Sequence, residues 1–336
     1  MKIIIPMAGK ALRLYPHTLN TPKPFLSIAG KTVLRRLLDN LYKFIKFFSV
    51  QEIIFIIKPI DNIKNKLISL SKEIGITPVI YYQKYPLGTA DALLKADKSM
   101  IGGPIIIAFS DTLFNSISFI KIKNESFDNI IWTKKVKNPN LFGVVKCDSN
   151  KLITNFIEKP EHYQSNLAII GLYYFKNSIT LKNELWNNYN IKNKKEYQLT
   201  YVLEAMRKKG VRFISCQVKN WMDFGNKNST LSSHSKILSM ESKNYNLINK
   251  KSTIKNSLII NPCYIGKETI IENCIIGPYV SIEKYTIIKN SNIKKSIIQN
   301  NTKIMYANLH NSIIGKYSFY KGKEQEISIS DYSILK

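Results

Sequence analysis

Cysteine is scarce in this chain: four residues in 336, at positions 147, 216, 263 and 274, with no CxxC pair among them. Scattered through apolar, strand-like runs, they offer neither a disulfide framework nor a zinc site, and a reducing, cytoplasmic setting is expected. Long hydrophobic runs are also missing, since nothing approaches the roughly 18 to 20 uninterrupted apolar residues that a membrane helix needs. The opening MKIIIPMAGK has a short apolar run and no small-residue cleavage site, so it is expected to be a first strand rather than an export leader. Negative charge is the third shortage. Against 50 Lys and Arg stand 23 Asp and Glu, a formal charge of +27. That balance is the usual footprint of a nucleic-acid binder. Here, however, the excess is mostly lysine spread along the chain with abundant Ile and Asn, and no basic helix with interleaved aromatics emerges. Lys, Asn and Ile share A/T-rich codons, so drift in an A/T-rich genome accounts for all three, and no nucleic-acid partner is expected. Anionic substrates still gain some salt-sensitive steering.

What the chain does have is a 44% apolar fraction, enough for two domains that each bury a core. From Met1 to about Ser239, strand-like and helical runs alternate, the pattern of an α/β sheet with crossover helices. Strands are expected at Lys2–Ile5, Glu52–Ile57, Pro78–Tyr82, Pro104–Ala108, Asn129–Lys134, Gly143–Cys147, Ile169–Phe175 and Val211–Gln217. Helices are expected at Thr32–Phe47, Ile63–Ile74 and Thr89–Lys98. After a polar stretch the rhythm changes. Ile254, Ile260, Ile265, Ile271, Ile276, Ile282, Ile288, Ile293, Ile298, Ile304, Leu309 and Ile314 recur every five or six residues. No α-helix has that period. It resembles the hexapeptide repeat of a left-handed parallel β-helix, in which one aliphatic side chain per short strand stacks into a prism-shaped core. The expected organisation is a Rossmann-like, mixed-sheet domain over residues 1–240, a linker at 241–252 and a short solenoid over 253–336. So short a solenoid leaves its ends needing cover, from the first domain or from another subunit, and a homo-oligomer is expected.

Chemistry concentrates in the first part. A buried strand runs into a Gly-containing turn at Gly9, with Arg13 and Lys23 beyond it, which places amides and two cations at the carboxyl end of a sheet strand, where a polyphosphate binds. Asp111 follows the apolar strand IIIA, and Asp223 lies in NWMDFGN. A strand-end carboxylate beside a triphosphate suits magnesium, which takes carboxylate and phosphate oxygens together. Gln83 and Gly88, in YYQKYPLGTADAL, combine an amide that donates and accepts with a glycine that lets the backbone approach a ring.

These segments, with FGVV at 142–145, FIEKP at 156–160, IIGLYYF at 169–175 and EYQLT at 196–200, resemble in order those of the sugar-1-phosphate nucleotidyltransferases, glucose-1-phosphate thymidylyltransferases in particular. The resemblance covers about the first 230 residues. It implies a GT-A-like fold and transfer of a nucleotidyl group from dTTP or UTP to a sugar-1-phosphate, glucose-1-phosphate above others, with Mg²⁺. By position it implies catalytic roles for Arg13, Lys23, Asp111 and Asp223, the two aspartates holding the metal. It implies nucleotide contacts from Ala8, Gly9, Lys10, Gln83, Gly88 and Thr89, and sugar-phosphate contacts from Gly143, Glu158, Lys159 and Gly171. Two features depart from the family pattern. Its phosphate loop reads G-x-G-[ST]-R, whereas this chain has Ala11 and Leu12, and Tyr201 stands where the family often has Asp. A catalytically weakened homologue that binds nucleotide-sugar is therefore one alternative, and uridylyl transfer to N-acetylglucosamine-1-phosphate another.

Overall fold

A computed structural model of the chain describes residues 1–59, 63–115, 129–189, 196–323 and 328. The chain divides into two compact units, Met1–Leu26 with Thr32–Gly225, and Ser27–Lys31 with Asn226–Lys336. Strands up to the boundary are β1 (Lys2–Pro6), β2 (Ser27–Ile28), β3 (Lys31–Thr32), β4 (Glu52–Ile57), β5 (Thr77–Tyr82), β6 (Ile105–Ala108), β7 (Thr112–Asn115), β8 (Asn129–Lys135), β9 (Gly143–Cys147), β10 (Ile153–Glu158), β11 (Leu167–Phe175), β12 (Phe213–Gln217) and β13 (Asn220–Asp223).

The first unit has the expected mixed α/β fold. Its main sheet runs β10-β9-β11-β6-β1-β4-β5, with β8 against β11 and β12 against β8. Strands β6, β1, β4 and β5 are parallel, and β11 returns antiparallel to β6. A parallel sheet is covered on both faces, which is why its strands read as unbroken apolar runs. Ile3, Ile4 and Ile5 of β1 and Ile53, Ile54, Phe55 and Ile56 of β4 are fully buried. The helix Val33–Phe47 covers the sheet with an apolar stripe of Leu34, Leu37, Leu38, Leu41 and Ile45, and Thr32 caps it by accepting from the Arg35 amide at 3.2 Å. Helix Thr89–Leu94 is shorter than expected, the chain tightening into a 3-10 turn at Asp97–Ser99. Because the four parallel strands point one way, the segments after β1, β5 and β6 leave from a common sheet edge, the place where open α/β sheets bind ligands. A separate two-stranded ladder pairs β7 with β13 antiparallel.

The second unit holds helix Lys227–Glu241, started by a capping box between Asn226 and Ser229, and then a solenoid of three parallel sheets. Ile271 pairs with Ile254 and with Ile288, so a coil takes 17 residues, and the next, Ile288 to Ile304, takes 16. Three short strands per coil of this length match the left-handed β-helix read from the repeat. The interior columns are Ile254, Ile271, Ile288 and Ile304; Ile259, Ile276, Ile293 and Leu309; and Ile265, Ile282, Ile298 and Ile314. One member of the sequence repeat is out of phase. Ile259, rather than Ile260, pairs with Ile276, and Ile260 is 39% exposed. The corners adopt left-handed backbone at Asn256, Asn273, Asn290, Asn301 and Asn311, among others, a conformation asparagine tolerates better than most residues. Part of the asparagine excess therefore has a structural use that codon drift does not explain. Segment Ser27–Lys31 belongs to this unit: Ala29 N donates to Ser281 Oγ and Gly30 N to Glu283 Oε1, both at 2.9 Å, and Gln299 Nε2 donates to Ser27 O at 2.9 Å. Of the solenoid expected to reach residue 336, the part beyond 323 lies outside the described residues except for position 328.

Candidate active site

After β1, Met7 and Ala8 stay buried, Met7 N donating to Ile56 O at 2.9 Å, and the chain then emerges at Gly9 and Lys10. No atom lies within 4 Å of where a Gly9 Cβ would stand, so the turn is open to an approaching ligand. Ala11 is left-handed, at φ 52° and ψ 33°, and Thr18 Oγ1 donates to its carbonyl at 3.0 Å. A 3-10 turn at Leu12–Leu14 follows, anchored by buried Leu14, with Leu12 and Arg13 exposed. A second 3-10 turn, Lys23–Phe25, is fixed by Pro22, Pro24 and buried Phe25. Its Lys23 ammonium pairs directly with Asp111 Oδ2, with side-chain exposures of 13% and 33% respectively.

Asp111 and Asp223 come from segments far apart in sequence, and the β7–β13 ladder joins them. Asp223 lies opposite Thr112, and Phe224 N donates to Asp111 O at 3.1 Å. The ladder therefore brings the two backbones together, with Asp223 across from the residue that follows Asp111. Trp221 Nε1 donates to Thr112 Oγ1 at 2.8 Å, which donates to Ile170 O at 2.6 Å, pinning the ladder to β11. Deep packing around Asp111 would push its carboxyl up. The Lys23 charge and hydrogen bond, its own backbone and the Arg13 charge outweigh this and hold it below the ordinary carboxylate value. Arg13 thus acts on the same group from an exposed position. The partly exposed Asp111 carboxylate, on a segment whose backbone meets that of Asp223, is of the type that fits magnesium, which takes one or two protein carboxylates and completes its shell with phosphate and water.

A second cluster forms where β9, β10 and helix Leu199–Lys208 meet. Thr200 Oγ1 donates to Glu158 Oε2 at 2.7 Å. A Cβ on Gly143 would stand 3.0 Å from Thr200 Oγ1 and 3.1 Å from Glu158 Oε2, so glycine admits this pair beside the backbone. Lys159, with φ 40°, donates its amide to Phe142 O at 3.1 Å, and its Nζ lies 3.6 Å from Glu158 Oε1. Gly171, with φ 82°, sits where the β11–β8 register shifts, and a Cβ there would lie 3.0 Å from the Phe109 ring; its carbonyl accepts from Phe109 N at 2.8 Å. Its glycine is thus accounted for by the bulge. Two members of this region carried no assigned role in the sequence. One is Thr200, visible there only as the end of EYQLT. The other is Tyr173, whose buried hydroxyl is pushed far above its ordinary value by burial and then by the charges of Glu158 and Asp111. It stays protonated between the two carboxylate clusters.

On the third side, Gln83 is buried, and its Nε2 donates to Asp91 Oδ2 at 2.7 Å and to Gly88 O at 3.2 Å. Gly88 requires its φ of 114°, and a Cβ would stand 2.3 Å from Tyr197 O. Thr89 begins a helix, as expected, and its hydroxyl accepts from Leu199 N at 2.8 Å and bonds Gln198 Oε1 at 3.0 Å. Tyr197 N donates to Leu87 O at 2.6 Å, and Ala90 N to Tyr197 O at 2.9 Å. The EYQLT segment therefore braces the Gly88 turn at one end and Glu158 at the other.

Residues 2–240 match the Nucleotidyl transferase family, and the chain belongs to it. The bifunctional protein GlmU of Methanococcus maripaludis strain C7 is similar, at 31% identity over 244 residues, 71% of this chain and 54% of that protein. So is the mannose-1-phosphate guanylyltransferase catalytic subunit beta of Drosophila melanogaster, at 31% over 183 residues, 53% of this chain and 49% of that protein. The chain thus spans about half the length of the curated relatives it matches. Among solved structures, a Bacillus anthracis protein assigned as a glucose-1-phosphate thymidylyltransferase, in complex with a sucrose, aligns with a TM-score of 0.60 at 22% identity. That alignment covers 73% of this chain and 96% of that one, and it shows a common fold. No helix among the described residues is long and apolar enough to cross a membrane.

Proposed function

We propose that this chain transfers a nucleotidyl group from a nucleoside triphosphate, dTTP or UTP, to a sugar-1-phosphate, glucose-1-phosphate above others, releasing pyrophosphate. The observation that supports the proposal is the pairing of Lys23 with Asp111 after a buried sheet strand, within the influence of the Arg13 charge, on a ladder whose other strand carries Asp223. An anionic oxygen of the sugar phosphate attacks the α-phosphorus, the bond from that phosphorus to the bridging oxygen breaks, and pyrophosphate leaves with the electron pair. The nucleophile is already ionised, so the protein supplies no base; it supplies position and charge. Arg13 and Lys23 neutralise the triphosphate and departing pyrophosphate, at about 1.5 to 3 kcal/mol for each charge-assisted bond. Glu158, oriented by Thr200, accepts from sugar hydroxyls, and Lys159 holds the sugar phosphate. Magnesium held by Asp111 and Asp223 would withdraw charge from the phosphate oxygens.

A pyrophosphate-release screen over four nucleoside triphosphates and several sugar-1-phosphates, N-acetylglucosamine-1-phosphate included, tests this and separates thymidylyl from uridylyl transfer. Release in no combination, with tight binding of a nucleotide-sugar, supports instead the weakened homologue, a reading favoured by exposed Leu12 in place of a hydroxyl in the phosphate loop. The shortness of the solenoid supports a homo-oligomer, which sedimentation of the full chain tests.

A further inference from the structure

Asp91 has no place in the motifs that suggested the site, yet it is fully buried, one turn into the helix that follows Gly88, with its carboxylate on the Gln83 amide. Its other oxygen, Oδ1, lies 3.0 Å from Lys95 Nζ, so the carboxylate is charge-balanced and accepts only. The second partner of the Gln83 amide, the Gly88 carbonyl, also accepts only, and takes a further bond from Ala92 N at 3.1 Å. The Gln83 backbone is tied to the sheet through its N–H to Ile57 O at 2.9 Å. Turning the amide over would set Oε1 against a carboxylate and a carbonyl at once and forfeit an ionic hydrogen bond in a buried place, where such losses cost most. The amide therefore has one orientation. Both Nε2 hydrogens are consumed internally, and among the described residues no donor engages Oε1.

We propose that Asp91 is a specificity-determining positioning residue: it locks the Gln83 amide so that the nucleobase meets an acceptor and never a donor. This rests on the nucleotidyltransferase reading above, with Gln83, the nucleotide contact that the resemblance implies, facing the base. An acceptor in that place matches bases whose ring nitrogen carries hydrogen, N3–H of uracil or thymine and N1–H of guanine. It opposes cytosine and adenine, whose corresponding ring nitrogen presents a lone pair. Uracil against cytosine is the cleanest comparison, because the two rings have the same size.

The test measures UTP and CTP affinity by calorimetry on the full chain, for the parent, Asp91→Asn and Gln83→Met. Asparagine keeps the volume of Asp91 but offers a donor to Gln83 Oε1, so the amide can turn over and present its NH₂ outward. The parent is expected to prefer UTP strongly, Asp91→Asn to lose at least tenfold of that preference with CTP gaining, and Gln83→Met to lose it as well. An Asp91→Asn protein that keeps the parental ratio, while Gln83→Met loses it, overturns the orienting role alone. A Gln83→Met protein that keeps the ratio shows that Gln83 does not face the base and overturns the proposal at its root. A parent that binds no nucleotide overturns the functional reading and this inference together. Should Asp91→Asn not fold, the parent labelled with ¹⁵N-glutamine serves: the two Gln83 side-chain protons must exchange slowly before and after UTP addition, and rapid exchange overturns the locked amide.

Discussion

Replacing Ala11 by glycine isolates one departure of this phosphate loop from the family pattern. Ala11 sits at φ 52° and ψ 33°, where a Cβ crowds the following carbonyl at a cost of about 1 to 2 kcal/mol. Glycine removes that cost but enlarges the conformational freedom of the unfolded chain, which takes back about 0.4 to 1 kcal/mol. The Thr18 bond engages the Ala11 carbonyl, not its side chain, and survives the change. The net expectation is a gain of about 0.5 to 1 kcal/mol, or roughly 1 to 4 °C in Tm at the 2 to 4 °C per kcal/mol usual for a unit of this size. Thermal and guanidinium unfolding followed by circular dichroism measures it, with an unchanged m-value showing that stability, and not the surface exposed on unfolding, has changed. Since the left-handed shape is already adopted, Ala11→Gly alone should leave kcat/KM within about twofold. Adding Leu12→Ser restores a hydroxyl and should raise kcat/KM by about two- to tenfold, the worth of one hydrogen bond of about 0.5 to 1.5 kcal/mol. A Tm that falls in Ala11→Gly at constant m refutes the strain argument, and a lower kcat/KM in the double variant shows that the loop has adapted around an aliphatic side chain.

Asp111→Asn should lower pyrophosphate release by two orders of magnitude or more with a much smaller effect on folding, and equal turnover by variant and parent would remove Asp111 from the mechanism. Because the folded Asp111 carboxyl is held below its ordinary value, its stabilising contribution is complete above the unfolded pKa, about 3.9, and is lost as pH falls through the folded one. The parent should therefore lose stability more steeply than Asp111→Asn in acid titrations below about pH 4; parallel curves would contradict the paired state of Lys23 and Asp111. Thr200→Val takes the donor from Glu158 and should raise KM for the sugar phosphate about five- to tenfold, at roughly 1 kcal/mol for the bond, whereas Thr200→Ser should restore it; equal KM in both variants would free Glu158 from that dependence. In the solenoid, a Cβ at Gly277 would stand 1.9 Å from Ile260 O with φ at 112°, so Gly277→Ala should destabilise the second unit by more than about 3 kcal/mol, seen as early loss of its unfolding transition.

The parts of this protein written locally were legible in its sequence. Strands buried on both faces carry unbroken aliphatic runs, so β1 and β4 stood out, and the solenoid announced itself because each inward position must be aliphatic. Even there the phase slipped at Ile259 and Ile260, two neighbouring isoleucines that a period of five or six cannot tell apart. What escaped was written across long sequence distances. The β7–β13 ladder that sets Asp223 beside Asp111 consists of two four-residue strands, too short for any period to show. Segment Ser27–Lys31 gives no sign that its amides and carbonyl will bond to Ser281, Glu283 and Gln299. Thr200 and Asp91 drew no assignment from the sequence, because neither carries chemistry by itself. Each acts by fixing another side chain, a relation only coordinates display.

Charge placement divides the same way. The +27 surplus invites attention to lysine, yet around the site three carboxylates each answer a cation: Asp111 with Lys23, Glu158 with Lys159, Asp91 with Lys95. Dispersed lysines create a long-range field that draws anions in, and salt screens that field over a Debye length of about 10 Å at 0.1 M. The acidic residues, being few, mark where short-range geometry is set, at hydrogen-bonding distances that bulk salt does not reach. Raising sodium chloride from 20 to 200 mM should therefore lower kcat/KM for the triphosphate several-fold while leaving the UTP-to-CTP preference unchanged. A preference that decayed together with kcat/KM would mean that the diffuse field, and not the Asp91–Gln83 clamp, chooses the base.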